Sequence, residues 1–202
     1  MNIAIIDYGS GNVFSVQSAL NKLGVNTVIT NNQEEIIAAD AVIFPGVGHA
    51  KFAMEQLKKT GLDQVIPKLK QPVLGICLGM QLMCQSTEEG NVKGLNIFED
   101  VKVRKFTDVP KIPHMGWNEL RSGKGIFKNI ESDVYFVHSY YVEPSIYSVS
   151  ETNYGTSFSA SLMKDNFYAC QFHPEKSGKA GEEILRKFLA LSPAYKLIVE
   201  TI

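Results

Sequence analysis

Apolar runs and helical stripes alternate along the first 85 residues of the chain. NIAIID (2–7) is short, apolar and β-branched and ends in a glycine-rich turn, which predicts a buried strand. In NVFSVQSALNKLG (12–24), Val13, Val16, Leu20 and Leu23 recur near helical spacing, and Gly24 is a natural stop. NTVIT (26–30) and DAVIFPGVG (40–48) read as further strands, with a short helix in QEEIIAA between them. HAKFAMEQLKKTG reads as a helix closed by glycine, and PVLGI (72–76) as a fourth strand that runs into a helix. Strands alternating with short helices predict right-handed βαβ units on a parallel sheet.

The pattern changes in the second half. NIFEDVKVRKF, VYFVHSYYVEP, YSVSETNYGTSFSASLM and FYACQFHP are strand-like and rich in Tyr, Phe, Val and Ser. They predict antiparallel or mixed strands added to the parallel core. GEEILRKFLAL (181–191) is one amphipathic helix, and SPAYKLIVETI is a short tail. No repeat, low-complexity tract or linker interrupts this order. The expected fold is α/β: one domain over residues 1–202, with a mostly parallel central sheet flanked by helices and antiparallel or mixed strands in the C-terminal half.

Composition narrows the function classes. A net charge of −1 leaves no basic field for nucleic acid or an anionic membrane. Three cysteines, an odd number without C-x-x-C spacing, argue against a disulfide framework or a thiolate zinc site. The N-terminus lacks the basic n-region of a signal peptide, and no apolar run reaches 18 residues. The expectation is a cytoplasmic protein with reduced thiols.

GICLG (75–79) has the glycine-x-nucleophile-x-glycine form of a nucleophile elbow. There a strand ends in a sharp turn, a helix begins at once, and the neighbours of the nucleophile are crowded enough to require glycine. Cys77 would then stand at a helix N-terminus, where the dipole favours thiolate, the reactive form. The competing reading is a buried cysteine between glycines that let a helix pack on a strand. Cys84, about two helical turns further on, and Cys170, inside an apolar strand, read as core residues.

A thiolate that expels a leaving group needs a proton donor. In QFHPE (171–175), His173 ends an apolar strand, and on an extended segment residues 173 and 175 point the same way. Glu175 could therefore orient His173 against a thiol brought from elsewhere in the sheet. A capping histidine beside a solvated glutamate is the alternative. FPGVG (44–48) could turn backbone N–H groups toward a developing oxyanion, with the N–H of Leu78 as second donor, or be a plain turn. DYGSGN (7–12) departs from the dinucleotide fingerprint, because Phe14 replaces the third glycine and no acidic residue follows at the required distance. PHMGWN (113–118) reads as a loop around the single tryptophan, which is either core or a partner-facing patch.

Together, GICLGMQ and FHPEKS resemble the triad class of glutamine amidotransferases. IIDYGSGN, FPGVG, PHMGWN and YFVHSYY narrow the resemblance to the glutaminase subunits of imidazole glycerol phosphate synthase, over residues 2 to about 191. The resemblance implies that Cys77 attacks the glutamine amide, His173 protonates the departing ammonia and Glu175 orients His173. It implies Val47 and Leu78 as oxyanion donors, and Gly48, Gln81, Glu89, His138, Ser139 and Tyr140 as glutamine-binding positions, with Glu88 the neighbour that a shift of one residue would select. It implies no cofactor and no metal. The implied partner is a (β/α)8 cyclase that uses the ammonia to form imidazole glycerol phosphate and AICAR in histidine biosynthesis. Asn12, Trp117, Tyr135 and Lys176 match positions at that interface, and the PGVG loop would need the partner to turn an N–H inward. Two other readings stay in view: the same glutaminase serving a cyclase-like partner that amidates a surface-polysaccharide sugar, and a stand-alone cysteine hydrolase. A non-catalytic binding module is a third, against which the intact Cys77, His173 and Glu175 set argues.

Overall fold

The computed structural model describes residues 1–9, 12–130 and 132–195. In the first half, the elements are β1 (Asn2–Ile6), α1 (Val13–Asn21), β2 (Asn26–Thr30), α2 (Gln33–Ala38), β3 (Ala41–Gly46), α3 (Ala50–Thr60), α4 (Leu62–Val65), β4 (Val73–Cys77) and α5 (Leu78–Met83). There follow β5 (Cys84–Thr87), β6 (Val92–Lys93), β7 (Phe98–Lys105), β8 (His114–Asn118), β9 (Val134–His138), β10 (Tyr140–Val142), β11 (Ser148–Tyr154), β12 (Thr156–Lys164), β13 (Phe167–Cys170) and α6 (Gly178–Leu189).

The central sheet runs β11-β12-β13-β4-β3-β1-β2. Its β2, β1, β3, β4 and β13 are mutually parallel, and β12 and β11 add an antiparallel hairpin beyond β13. The alternation of each strand splits the core in two. Ala4, Ile6, Val42 and Phe44 face Ile36, Met54, Leu57 and Leu82 on one side. Ile3, Ile5, Ile43, Leu74 and Ile76 face Val16, Leu20, Ile184 and Phe188 on the other. Because β3, β4 and β13 are parallel, their carboxyl ends meet at one edge, where ligands bind in open α/β sheets. Gly46 pairs there with Cys77, and Cys170 with Ile76.

Three expectations are corrected. PHMGWN is not a loop: His114–Asn118 pairs antiparallel with β9, residue for residue. Its turn-forming residues are overridden by that cross-strand ladder. The helix after Cys77 is only six residues long, so Cys84 begins β5 instead of extending a helix. It is nonetheless fully buried, as a core cysteine should be. Finally, the C-terminal strands do not all join the parallel core. VYFVHSYYVEP breaks at Ser139 into β9, in a two-stranded sheet with β8, and β10, in a separate sheet of order β10-β7-β5-β6. The SPAYKLIVETI tail falls largely outside the described residues.

Glycine is required beside Cys77 because α5 lies directly on β3. A Cβ on Gly79 would stand 1.9 Å from the Phe44 carbonyl oxygen, and one on Gly75 would meet the Met83 sulfur at 2.8 Å. Neither the carbonyl nor the strand bearing it can retreat without breaking the ladder with β4. Gly79→Ala should therefore lower the unfolding free energy by more than ~3 kcal/mol. Gly24→Ala, at φ 76° but with open space around it, should cost only about 1 kcal/mol. Urea titrations of both variants measure the difference.

Candidate active site

Cys77 is the hinge between β4 and α5, and its backbone sits at φ 54° and ψ −108°. A non-glycine residue here is strained by roughly 1–3 kcal/mol, held by the surrounding packing. The turn presents its side chain to a cavity of about 290 Å3, a volume suited to a ligand of amino-acid size. Val47, Gly48, Leu78, Gln81, Glu89, His138, Ser139 and Tyr140 line that cavity with Cys77. Every cavity position named from the sequence is thus brought together, from β3, α5, the β6 turn and the β9–β10 junction. Pro113 and Val137 complete the wall, and the sequence reading missed both.

Glu88 and Glu89 separate clearly. Glu89 lines the cavity, and its Oε2 accepts the Ala50 N–H at 2.8 Å, at the N-terminal end of α3. A carboxylate at that end is favoured by the helix dipole. Glu88 instead turns to the surface, where the Lys105 N–H and the Arg104 guanidinium hold its carboxyl below the usual range.

His173 and Glu175 lie behind the thiol and off the cavity wall. Their side chains are 1% and 0% exposed, and Nδ1 of His173 meets Oε1 of Glu175 at 2.7 Å. The expected extended geometry is replaced by a single 3-10 turn over Pro174–Lys176, which brings the pair together as well. The Nε2 of His173 has no aligned hydrogen-bond acceptor, yet the thiol is close enough to act on it. Burial opposes a charge on this ring, but the Cys77 sulfur and the Glu175 carboxylate outweigh it and raise its pKa to about 10. Asn12 Nδ2 donates to the same Glu175 Oε1. Trp117 pairs across the strands with Tyr135, their rings 5.9 Å apart, and the Tyr135 carbonyl accepts the His173 N–H at 2.9 Å. Trp117 is 56% exposed and Met115 62%, so this tryptophan is a surface residue and not a core one. Asn12, Lys176, Tyr135 and Trp117 are therefore strung along the chain segments that border His173 and Glu175.

Behind the cavity runs a buried polar chain with no local sequence signal. Gln171 Nε2 donates to Cys77 Sγ at 3.6 Å, and Gln171 Oε1 accepts from Gln81 Nε2 at 2.9 Å. Gln81 Nε2 also donates to the Tyr140 carbonyl at 2.9 Å. That carbonyl accepts from His138 Nδ1 at 2.8 Å. His138 Nδ1 must then carry a proton, and with both rings neutral its Nε2 accepts from His114 Nδ1 at 2.9 Å. Burial lowers His114 to about 4 and His138 to about 3, the latter helped by the nearby His114 and His173.

The chain matches the family model described as glutamine amidotransferase class-I over residues 4–191. It is 55% identical to "Imidazole glycerol phosphate synthase subunit HisH" of Bacteroides fragilis over 197 residues, covering 95% of this chain and 100% of that protein. It is 48% identical to the subunit of the same name in Haemophilus influenzae, covering 96% and 99%. The solved structure of PurLQS from Thermotoga maritima superposes with a TM-score of 0.67 at 16% identity, covering 94% and 97%, a likeness of fold.

The two neutral histidines set an acid limit. Their folded pKa values lie below the unfolded value of ~6.5, so their contribution is complete above that pH and is lost as pH falls toward 4 and 3. Thermal unfolding should therefore weaken progressively below about pH 6.5. A His114→Phe variant should show a shallower acid slope than wild type between pH 6.5 and 4.

Proposed function

The chain belongs to the class-I glutamine amidotransferase family and, within it, to the HisH subunits of imidazole glycerol phosphate synthase, and from that membership we propose that it is the glutaminase half of such an enzyme. Its reaction is the hydrolysis of glutamine to glutamate and ammonia. The observation that carries this reading is the strained Cys77 at the wall of an amino-acid-sized cavity, with the buried His173–Glu175 pair acting on its sulfur from behind.

The proton shared by Cys77 and His173 rests on His173, and the Cys77 thiolate attacks the amide carbon of glutamine. Oxygen becomes an oxyanion, for which the backbone N–H groups of Val47 and Leu78 are the proposed donors. The carbon–nitrogen bond then breaks, His173 gives its proton to the departing nitrogen, and ammonia leaves a γ-glutamyl thioester on Cys77. Neutral His173 next takes a proton from water as the water attacks the thioester. The carbon–sulfur bond breaks, and glutamate and the thiolate–imidazolium pair are released. Glu175 stabilises the imidazolium before ammonia leaves and again once water has been deprotonated. Glu89 offers a negative charge to the substrate ammonium. Gly48, Gln81, His138, Ser139 and Tyr140 shape the rest of the pocket.

Ammonia that escapes to water becomes ammonium and loses its nucleophilicity, so a glutaminase of this kind serves a bound acceptor. We assign that role to a (β/α)8 cyclase subunit, docked over Asn12, Trp117, Tyr135 and Lys176, that forms imidazole glycerol phosphate and AICAR in histidine biosynthesis. Residues 1–202 act as one domain in this scheme, in the cytoplasm. Among the described residues no helix is long and apolar enough to cross a membrane.

Reconstitution with the cyclase and its nucleotide substrate tests the scheme. Cys77→Ser should lose glutamine-dependent synthesis by about 10^3-fold or more while ammonia-dependent synthesis persists. His173→Asn should lose about 10^2-fold or more of kcat with little change in KM. The isolated chain should hydrolyse glutamine far more slowly than the complex; full activity without a partner would refute the gating role of the PGVG loop.

A further inference from the structure

We propose that Gln171 is a further catalytic residue, an amide donor that holds the Cys77 sulfur as thiolate and fixes its direction. The inference rests on Cys77 being the nucleophile. Gln171 directly follows β13, two residues before His173, and it is fully buried. Its Nε2 lies 3.6 Å from Cys77 Sγ, within hydrogen-bonding range for the large sulfur atom.

The direction of this amide is dictated by its neighbours. Both hydrogens on Gln81 Nε2 are used, one by the Tyr140 carbonyl and one by Gln171 Oε1. If the Gln171 amide were reversed, its NH2 group would meet the Gln81 NH2 group, donor against donor, between two buried side chains. Its oxygen would simultaneously face the sulfur, repelling a thiolate. The observed orientation avoids both costs, and the Tyr140 carbonyl that anchors Gln81 is itself held by His138. Gln171 therefore meets the sulfur with N–H and with nothing else. The Val137 carbonyl lies 3.8 Å from the sulfur, an acceptor that suits the neutral thiol. Moving from thiol to thiolate thus exchanges the Val137 acceptor for the Gln171 donor.

The N–H that Gln171 turns to the sulfur distinguishes it from a packing residue. A packing residue could be replaced by any side chain of the same shape. A donor cannot be replaced by Met, which is apolar, or by Glu, which still accepts from Gln81 but sets a carboxylate against the sulfur. The alkylation rate of Cys77 by iodoacetamide, followed peptide by peptide across pH 5 to 10, reads the thiolate directly. Cys84 and Cys170 are fully buried and serve as internal references.

Relative to wild type, Gln171→Met should lower the Cys77 alkylation rate at pH 7 about tenfold and move the whole profile to higher pH, as loss of one hydrogen bond to a charged group requires. Gln171→Glu should move it further. Both variants should keep the wild-type far-UV circular dichroism and co-elute with the partner, which reports an intact fold and interface. A wild-type profile in either variant that keeps that fold and partner binding would overturn the proposal. Wild-type protein in complex whose Cys77 resists a glutamine-mimicking chloroketone would instead overturn the underlying assignment of the nucleophile.

Discussion

The site depends on one close approach: α5 lies against β3 with Gly79 facing the Phe44 carbonyl, at a distance no side chain could tolerate. That contact forces the chain to turn within a single residue at the end of β4, and the residue that makes the turn is Cys77, at positive φ. The strain is held because Gly46 and Cys77 are paired in the sheet while Tyr8 donates to the Pro45 carbonyl at 2.8 Å, fixing the end of β3. The glycines bracketing Cys77 are therefore a packing requirement first. The exposure of the sulfur to the cavity is its chemical consequence.

A second constraint follows from burial. The sheet edge that holds the thiol also holds Gln81, His114, His138, Gln171 and His173, all nearly inaccessible to solvent. Buried polar groups must find partners, and here the partners are each other. Each carbonyl or ring nitrogen fixes the orientation of the next, from His114 through His138 and the Tyr140 carbonyl to Gln81 and Gln171. The two outer histidines stay neutral because burial disfavours their charge. His173 differs because it alone has a carboxylate on one nitrogen and a thiol near the other. One environment thus yields histidines of opposite character, set by their neighbours and not by their depth.

Much of this was legible in the chain. The β-branched runs, the helical stripes and their glycine stops predicted the parallel core, since each is a local signal with a local cause. GICLG and QFHPE were readable for the same reason: each motif is complete within five consecutive residues. The β8–β9 ladder was not, because PHMGWN is built of turn-forming residues and its strand character comes from pairing across the loop to β9. The end of α5 at Met83 was hidden because the apolar residues of LMC suit helix and strand alike. Gln171 lies inside QFHPE yet carries no local signal, since its partners Gln81 and Cys77 lie 90 and 94 positions away. Glu88 and Glu89 could be told apart only once Arg104 and Ala50 were in place around them.

The central claim is that Cys77 carries the acyl group of glutamine. Rapid acid quenching of the complete enzyme during turnover, followed by mass spectrometry of its peptides, tests this directly. The account predicts a γ-glutamyl adduct on the peptide containing Cys77, formed before glutamate appears and absent from those containing only Cys84 or Cys170. Glutamine consumption with no adduct at any time, or an adduct on another cysteine, would contradict it.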